Sequence, residues 1–144
     1  MIKLVAVGKM KNRALDSLCN DYFERLSRYD KFELVLIKDS TVQRESERML
    51  ELISSSKLRT YVLSEEGKLF SSRDFSKIIE RDLMLGGSMF VIGGAYGMSE
   101  DVKRAAHALV SLSPMTFTHE WARAILAEQL YRAKTISADT GYHH

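Results

Sequence analysis

At 144 residues and 16.4 kDa, with 45% hydrophobic and 28% charged residues, the chain has the length of one compact domain. A single cysteine, Cys19, excludes an intramolecular disulfide and a cysteine-rich zinc site, and no apolar run approaches the roughly 18 residues of a membrane span. The net charge of +2 is divided unevenly: residues 1–13 carry Lys3, Lys9, Lys11 and Arg13 without an acid, 14–102 are net acidic, and 103–144 are net basic.

Ile2–Val7 is an apolar, β-branched run closed by Gly8, and reads as a strand. It is too short for the apolar core and cleavage site of a signal peptide, so a cytoplasmic, reducing location is expected. Leu15, Leu18, Cys19, Tyr22, Phe23 and Leu26 recur at helical spacing and predict an amphipathic helix, with Cys19 a small core residue. Phe32–Ile37 reads as a second strand and Val42–Ile53 as a charged helix. Tyr61–Leu63 is a short third strand that runs into the turn Ser64-Glu65-Glu66-Gly67. Ser71 or Ser72 caps a helix buried through Phe75, Ile78, Ile79 and Leu83 and stopped by Gly86-Gly87. Ser88–Ile92 is a fourth strand ending in Gly93-Gly94-Ala95-Tyr96-Gly97. Ser99 caps a helix over Glu100–Leu109, and Val110–Leu112 forms a last short strand before the loop Ser113–Thr118. A final helix covers His119–Ala133, and a polar tail runs to His144.

With no repeat or linker, residues 1–144 read as a single domain. Alternating strands and helices predict an α/β fold, a mostly parallel sheet with helices on both faces. Ligands bind such sheets beyond the carboxyl ends of the strands. That edge brings together Leu63-Ser64-Glu65, Gly93–Gly97 and Ser113–Thr118.

The glycine turn lacks the spacing of a dinucleotide fingerprint and the Lys-Ser/Thr ending of a P-loop. Glu100 and Asp101 would also repel a phosphate at the next helix start. Close backbone approach to a ligand and plain chain geometry both remain open for Gly93-Gly94. The last helix is apolar nearly all round, which predicts burial on several sides and a homodimer built through it. Arg123 and Arg132 on that helix are open to two readings, salt-bridge partners or phosphate contacts. His107, His119, His143 and His144 have no metal-binding spacing, so no metal is expected. No nucleophile elbow supports a hydrolase. Basic ends that meet would make a polyanion footprint, against the plainer reading of solvated lysines.

Several ordered motifs carry a resemblance. They are Leu4-Val5-Ala6-Val7-Gly8-Lys9, Phe90–Gly97, Ser111–His119, Leu126-Ala127-Glu128-Gln129-Leu130-Tyr131-Arg132-Ala133, and Tyr142-His143. Together they closely resemble the ribosomal RNA large subunit methyltransferase H family, a branch of the SPOUT class of knotted methyltransferases. The resemblance implies a C-terminal trefoil knot, a homodimer and S-adenosylmethionine as methyl donor. It implies an acceptor at N3 of a pseudouridine in helix 69 of 23S ribosomal RNA, within the assembled ribosome. By motif, Leu63, Gly94, Ser113, Pro114, Met115, Thr116, Phe117 and Thr118 would bind the cofactor. His143 is the candidate base, Tyr142 would stack on or orient the acceptor, and Arg132 would neutralise phosphate or the imide anion. A knotted enzyme for another RNA such as tRNA, or a non-enzymatic ribosome-binding protein of the same fold, are the alternatives. Ala95 and Thr118 stand where the family often has proline, and only Pro114 remains where average composition predicts about seven. The tail also lacks the family's usual terminal Arg or Lys, and the loop Lys38-Asp39-Ser40-Thr41 is shorter and less basic than in many relatives.

Overall fold

The computed structural model describes residues 1–144. Ten elements follow one another: β1 (Ile2–Val7), α1 (Arg13–Leu26), β2 (Phe32–Ile37), α2 (Val42–Ser55), β3 (Arg59–Leu69), α3 (Ser72–Leu83), β4 (Ser88–Val91), α4 (Glu100–Ala105), β5 (Ala108–Ser111) and α5 (His119–Ser137). The five strands form one sheet in the order β2-β1-β4-β3-β5, and every pairing is parallel. The expected α/β architecture is therefore present. No helix is long and apolar enough to cross a membrane.

Strand alternation sorts the core into two layers. Ile2, Leu4, Tyr61 and Phe90 point toward α1, α3 and α5, where Leu15, Phe23, Ile79, Leu126 and Leu130 pack on them. Val5, Val7, Val62 and Met89 point the other way, onto Met49 of α2 and Val102 of α4. Cys19 is buried in the first layer, and burial pushes its thiol up to about 11. That is an inert core residue, not a nucleophile. Four of the five helix starts carry a capping side chain: Asn12 accepts from the Leu15 amide, Thr41 from Arg44, Ser71 from Asp74 and Thr118 from Trp121. Ser99 stands at the start of α4 without that hydrogen bond, its own amide donating to Ser46 Oγ instead.

Three element ends differ from expectation by about a helical turn or more, each for a long-range reason. β3 does not end at Leu63. Ser64–Gly67 leaves the sheet and returns, so that Leu63 and Lys68 both pair with Val110. Gly67 permits this, since a Cβ there would lie 2.6 Å from the main chain of Leu109 and Val110. α4 stops at Ala105, not Leu109, because His107 exchanges two hydrogen bonds with Thr60: its amide donates to the Thr60 carbonyl and its Nδ1 accepts the Thr60 amide, both at 2.9 Å. β5 accordingly starts at Ala108. α5 continues past Ala133 to Ser137, where buried Lys134 pairs with Glu80 at 2.7 Å and Ser76 donates to the Ala133 carbonyl.

The final helix is covered on two flanks by α1 and α3, so its all-round apolarity is met largely within one chain. Its outward stripe is Trp121, Ile125, Glu128 and Arg132, of which Trp121 is 52% exposed.

Candidate active site

β4 ends at Val91 and delivers the chain into Gly93–Gly97, a turn closed by the Gly97 amide on the Gly94 carbonyl at 3.0 Å. This turn, the Ser64–Glu66 excursion of β3 and the segment after β5 enclose a cavity of about 720 Å³ beyond the carboxyl ends of the strands. That volume suits a small organic ligand. Leu63, Gly94, Ser113, Met115, Thr116, Phe117 and Thr118 all line it, while Pro114 sits in the same loop but off the cavity wall. The three segments that the parallel-sheet rule joins at one edge therefore share a cavity.

The wall also holds residues that the sequence reading did not single out as site residues: Glu66, Lys103, His119 and Glu120. The β3 excursion is pinned on both sides. Thr116 Oγ1 donates to Glu65 at 3.3 Å, and Lys103 donates to Glu66 at 3.1 Å and to Glu100 at 3.4 Å. Those contacts, the Glu66 hydrogen bond first, raise the Lys103 ammonium above its ordinary value. Glu120 accepts the amides of Asn12 and Lys11, at 3.1 and 2.7 Å, which holds its carboxyl below the usual range. Two acids immediately after a strand, at a ligand-binding edge, were the available signal for Glu65 and Glu66.

The loop after β5 offers free main-chain groups beside the cavity. The amides of Leu112, Thr116 and Phe117 have no main-chain acceptor within the chain. Ser111 Oγ donates to the Ser113 carbonyl at 2.8 Å and Ser113 Oγ accepts the Met115 amide at 3.0 Å, fixing the loop's shape. His119 Nδ1 is buried against the wall without a partner. Arg123 points away from the cavity: Nη1 and Nη2 donate to the Gly8 and Val7 carbonyls at 3.1 and 2.9 Å, closing the end of β1. It forms no ion pair, so it is neither the salt-bridge partner nor the phosphate contact expected of it but a tie to main-chain carbonyls.

A second cluster lies further along α5. Arg132 donates to Glu128 Oε1 through Nε at 2.9 Å and Nη2 at 2.5 Å, and Tyr142 donates to the same oxygen at 3.0 Å. The tail folds back so that the Arg132 guanidinium stacks 4.8 Å from the Tyr142 ring centre, and Nη1 meets His143 Nδ1 at 3.1 Å. Burial first, then Tyr22 and Glu128, pushes the Tyr142 hydroxyl up. Because arginine only donates, His143 Nδ1 is the acceptor in this contact. Arg132, Tyr142 and His143 thus form one group, but none lines the cavity. Thirteen helical positions, about 20 Å of axial rise, separate His119 from Arg132.

An all-parallel sheet with a loop-built cavity at its carboxyl edge defines an α/β protein with its ligand site where such sheets place one. Over residues 1–143 the chain matches the family described as "Predicted SPOUT methyltransferase". It is 42% identical to the ribosomal RNA large subunit methyltransferase H of Flavobacterium johnsoniae, covering 99% of this chain and 98% of that protein. Identity is 43% to the protein of that name from Flavobacterium psychrophilum and 36% to that from Streptococcus mutans, with the same coverage. The chain belongs to the ribosomal RNA large subunit methyltransferase H family of SPOUT methyltransferases.

Membership implies S-adenosylmethionine as methyl donor, and the cavity fits it. The volume, the unengaged amides of the Leu112–Phe117 segment and the apolar Leu63, Ile92 and Met115 suit a nucleoside with an amino-acid arm. No group of three or more His, Cys, Asp or Glu side chains is arranged to hold a metal.

Proposed function

We propose that this chain methylates ribosomal RNA, at N3 of a pseudouridine in helix 69 of 23S RNA on the assembled ribosome, in the bacterial cytoplasm. The observation that carries this reading is the single cavity shared by Leu63, Gly94 and the loop after β5. The bound cofactor supplies an electrophilic methyl carbon on a sulfonium, so no covalent enzyme intermediate is required. The chain's own tasks are to hold the acceptor nitrogen in line and to take its imide proton. Met115, Thr116 and Phe117 bind the cofactor through main chain and apolar contact. Tyr142 orients the acceptor ring, His143 receives the proton, and Arg132 neutralises the imide anion. For His143 to act as base, Nδ1 must exchange Arg132 for the acceptor, and that exchange frees the guanidinium for its own role.

Arg132, Tyr142 and His143 stand together off the cavity wall, which leaves one chain with two half-sites. We therefore read the working enzyme as a homodimer in which one chain's tail completes the other's cavity. Exposed Tyr96, Met115, Phe117 and Trp121 around the cavity mouth are the apolar surface such an arrangement would cover. A trefoil knot belongs to the same reading: the loop after the edge strand β5 must carry the chain back to seat α5 between α1 and α3.

Transfer of tritiated methyl from S-adenosylmethionine tests the substrate, offered as 70S ribosomes, free subunits, naked ribosomal RNA and tRNA. Label in 23S RNA of ribosomes is the expected outcome. Label in tRNA alone, or cofactor binding without transfer to any RNA, would replace the reading by one of its alternatives. Tyr142→Ala and His143→Ala should each lower transfer by at least about 100-fold with unchanged cofactor affinity by calorimetry. A monomeric mass by light scattering at micromolar concentration would remove the composite site.

A further inference from the structure

The carboxyl edge of the sheet carries most of its unpaired cations beside β1 and β2. The cavity takes the half beyond β4, β3 and β5. Lys9 and Lys11 follow β1, Arg13 opens α1, Lys38 follows β2, and Arg44 lies in the first turn of α2, so all five stand on the other half. All five are exposed, and none of their side chains forms an ion pair. On the cavity half Lys103 pairs with Glu66 and Glu100 and Arg104 with Asp101, which leaves only Lys68 and Arg73 exposed and without an ion pair.

The acids on the β1/β2 half are mostly occupied. Glu120 binds the amides of Lys11 and Asn12, and buried Glu45 binds the amide of Ser40 at 2.8 Å. Asp16 and Asp39 are the exposed acids left. The N-termini of α1 and α2 open at the same edge and add partial positive charge to that of the side chains.

The same contacts tie this surface to the cavity. Glu120 stands on the cavity wall while its carboxylate holds the loop that bears Lys11. Glu45 backs the glycine turn so closely that a Cβ on Gly94 would lie 2.8 Å from its Oε1. β2 to β4 is two strand spacings, about 10 Å, so the cations stand close enough to the cavity for one molecule to reach both.

We infer that the β1/β2 half of the edge is the phosphate-docking surface for the RNA acceptor. Lys9, Lys11, Arg13, Lys38 and Arg44 hold the backbone flanking the target while its base is presented to the neighbouring cavity. Dispersed, unpaired lysines and arginines along a rim suit a chain of phosphates, whereas one small anion would call for a converging pocket. This rests on the RNA-acceptor reading above and adds where the acceptor lies.

The test compares the wild type with the triple variant Lys9→Ala, Lys11→Ala, Arg13→Ala. Readouts are KM and kcat on the RNA substrate that the wild type labels, and the salt dependence of poly(U) binding by fluorescence anisotropy. Expected are a rise in KM of about tenfold or more, a loss falling on KM rather than kcat, and a log–log salt slope shallower by about two. Cofactor affinity by calorimetry reports that the triple variant is folded. Lys38→Ala with Arg44→Ala, on separate elements, should move both readouts in the same direction, and Lys9→Arg with Lys11→Arg should retain wild-type values. Unchanged KM and salt slope in both alanine variants, with an active wild type, overturn the docking surface but leave the methyltransferase reading intact. A raised KM on ribosomes with unchanged poly(U) binding also overturns it, in favour of an acidic protein contact. A wild type that labels no RNA fails the underlying reading instead.

Discussion

The two edges of this sheet are built from the same parallel strands and are finished in opposite ways. At the amino edge, Asp82 is fully buried and saturated: its Oδ2 accepts from Tyr61 at 2.5 Å and Ser88 at 3.0 Å, and its Oδ1 accepts from Arg81 at 2.9 Å. The one buried polar atom left over there, Arg59 Nε, lies 3.7 Å from that carboxylate, within ion-pair reach. At the carboxyl edge, His119 Nδ1 is buried without a partner, loop amides lack main-chain acceptors, and the cations after β1 and β2 are unpaired. Polar groups saturated from within hold a fold together, and polar groups left over are free to recognise something else. The difference assigns stability to one edge and ligand chemistry to the other, and substitutions at each should separate the two.

The largest effect is expected at the amino edge. Asp82→Ala leaves Tyr61, Ser88 and the Arg81 guanidinium without their shared acceptor, and should cost about 3 kcal/mol of unfolding free energy in a urea melt. Arg81 is 55% exposed and can turn to solvent, which keeps the cost below that of a wholly buried pair. The folded fraction should bind S-adenosylmethionine as the wild type does. Loss of cofactor affinity without loss of stability would break the division between edges.

The converse substitution is Gly94→Ala. The added methyl meets Glu45 Oε1 at 2.8 Å and Val7 Cγ1 at 3.3 Å, and the glycine turn has only the cavity to move into. Cofactor affinity should fall about tenfold, roughly 1.4 kcal/mol, with little change in melting temperature. A large drop in melting temperature with unchanged affinity would show Gly94 to be a packing glycine.

The same division explains what could be read in advance. That Leu63, Gly94 and Ser113–Thr118 share one edge follows from the alternation of strands and helices, which is local in origin, and a general rule for parallel sheets. What escaped the sequence depended on partners far along the chain. Ser64–Gly67 has the composition of a turn, and nothing nearby shows that Lys68 rejoins Val110. The end of α4 is set by His107 meeting Thr60, 47 positions away. Apolarity all round α5 reads as a call for a second chain, yet α1 and α3 cover two of its sides. Tyr142 and His143 were singled out by resemblance alone. Their place against Glu128 and Arg132 became visible only when the tail was seen folded back.

The smallest expected effect lies where the two functions meet, at Glu120. Its carboxylate accepts the amides of Asn12 and Lys11, and these hydrogen bonds hold it below its ordinary value. A depressed folded value means the contribution to stability is complete above the unfolded value, near 4.3, and is lost as pH falls through the folded one. Solvent around this partly exposed group keeps the contribution small. Between pH 5 and pH 3, wild type and Glu120→Gln should converge in melting temperature from a difference of about 2 °C. The tether also orients the loop bearing Lys11, so at neutral pH the variant should lose more in KM for RNA than in stability. Equal stability at pH 7 together with an unchanged KM would show that the loop keeps its place without Glu120, and that the two halves of the carboxyl edge are not coupled through it.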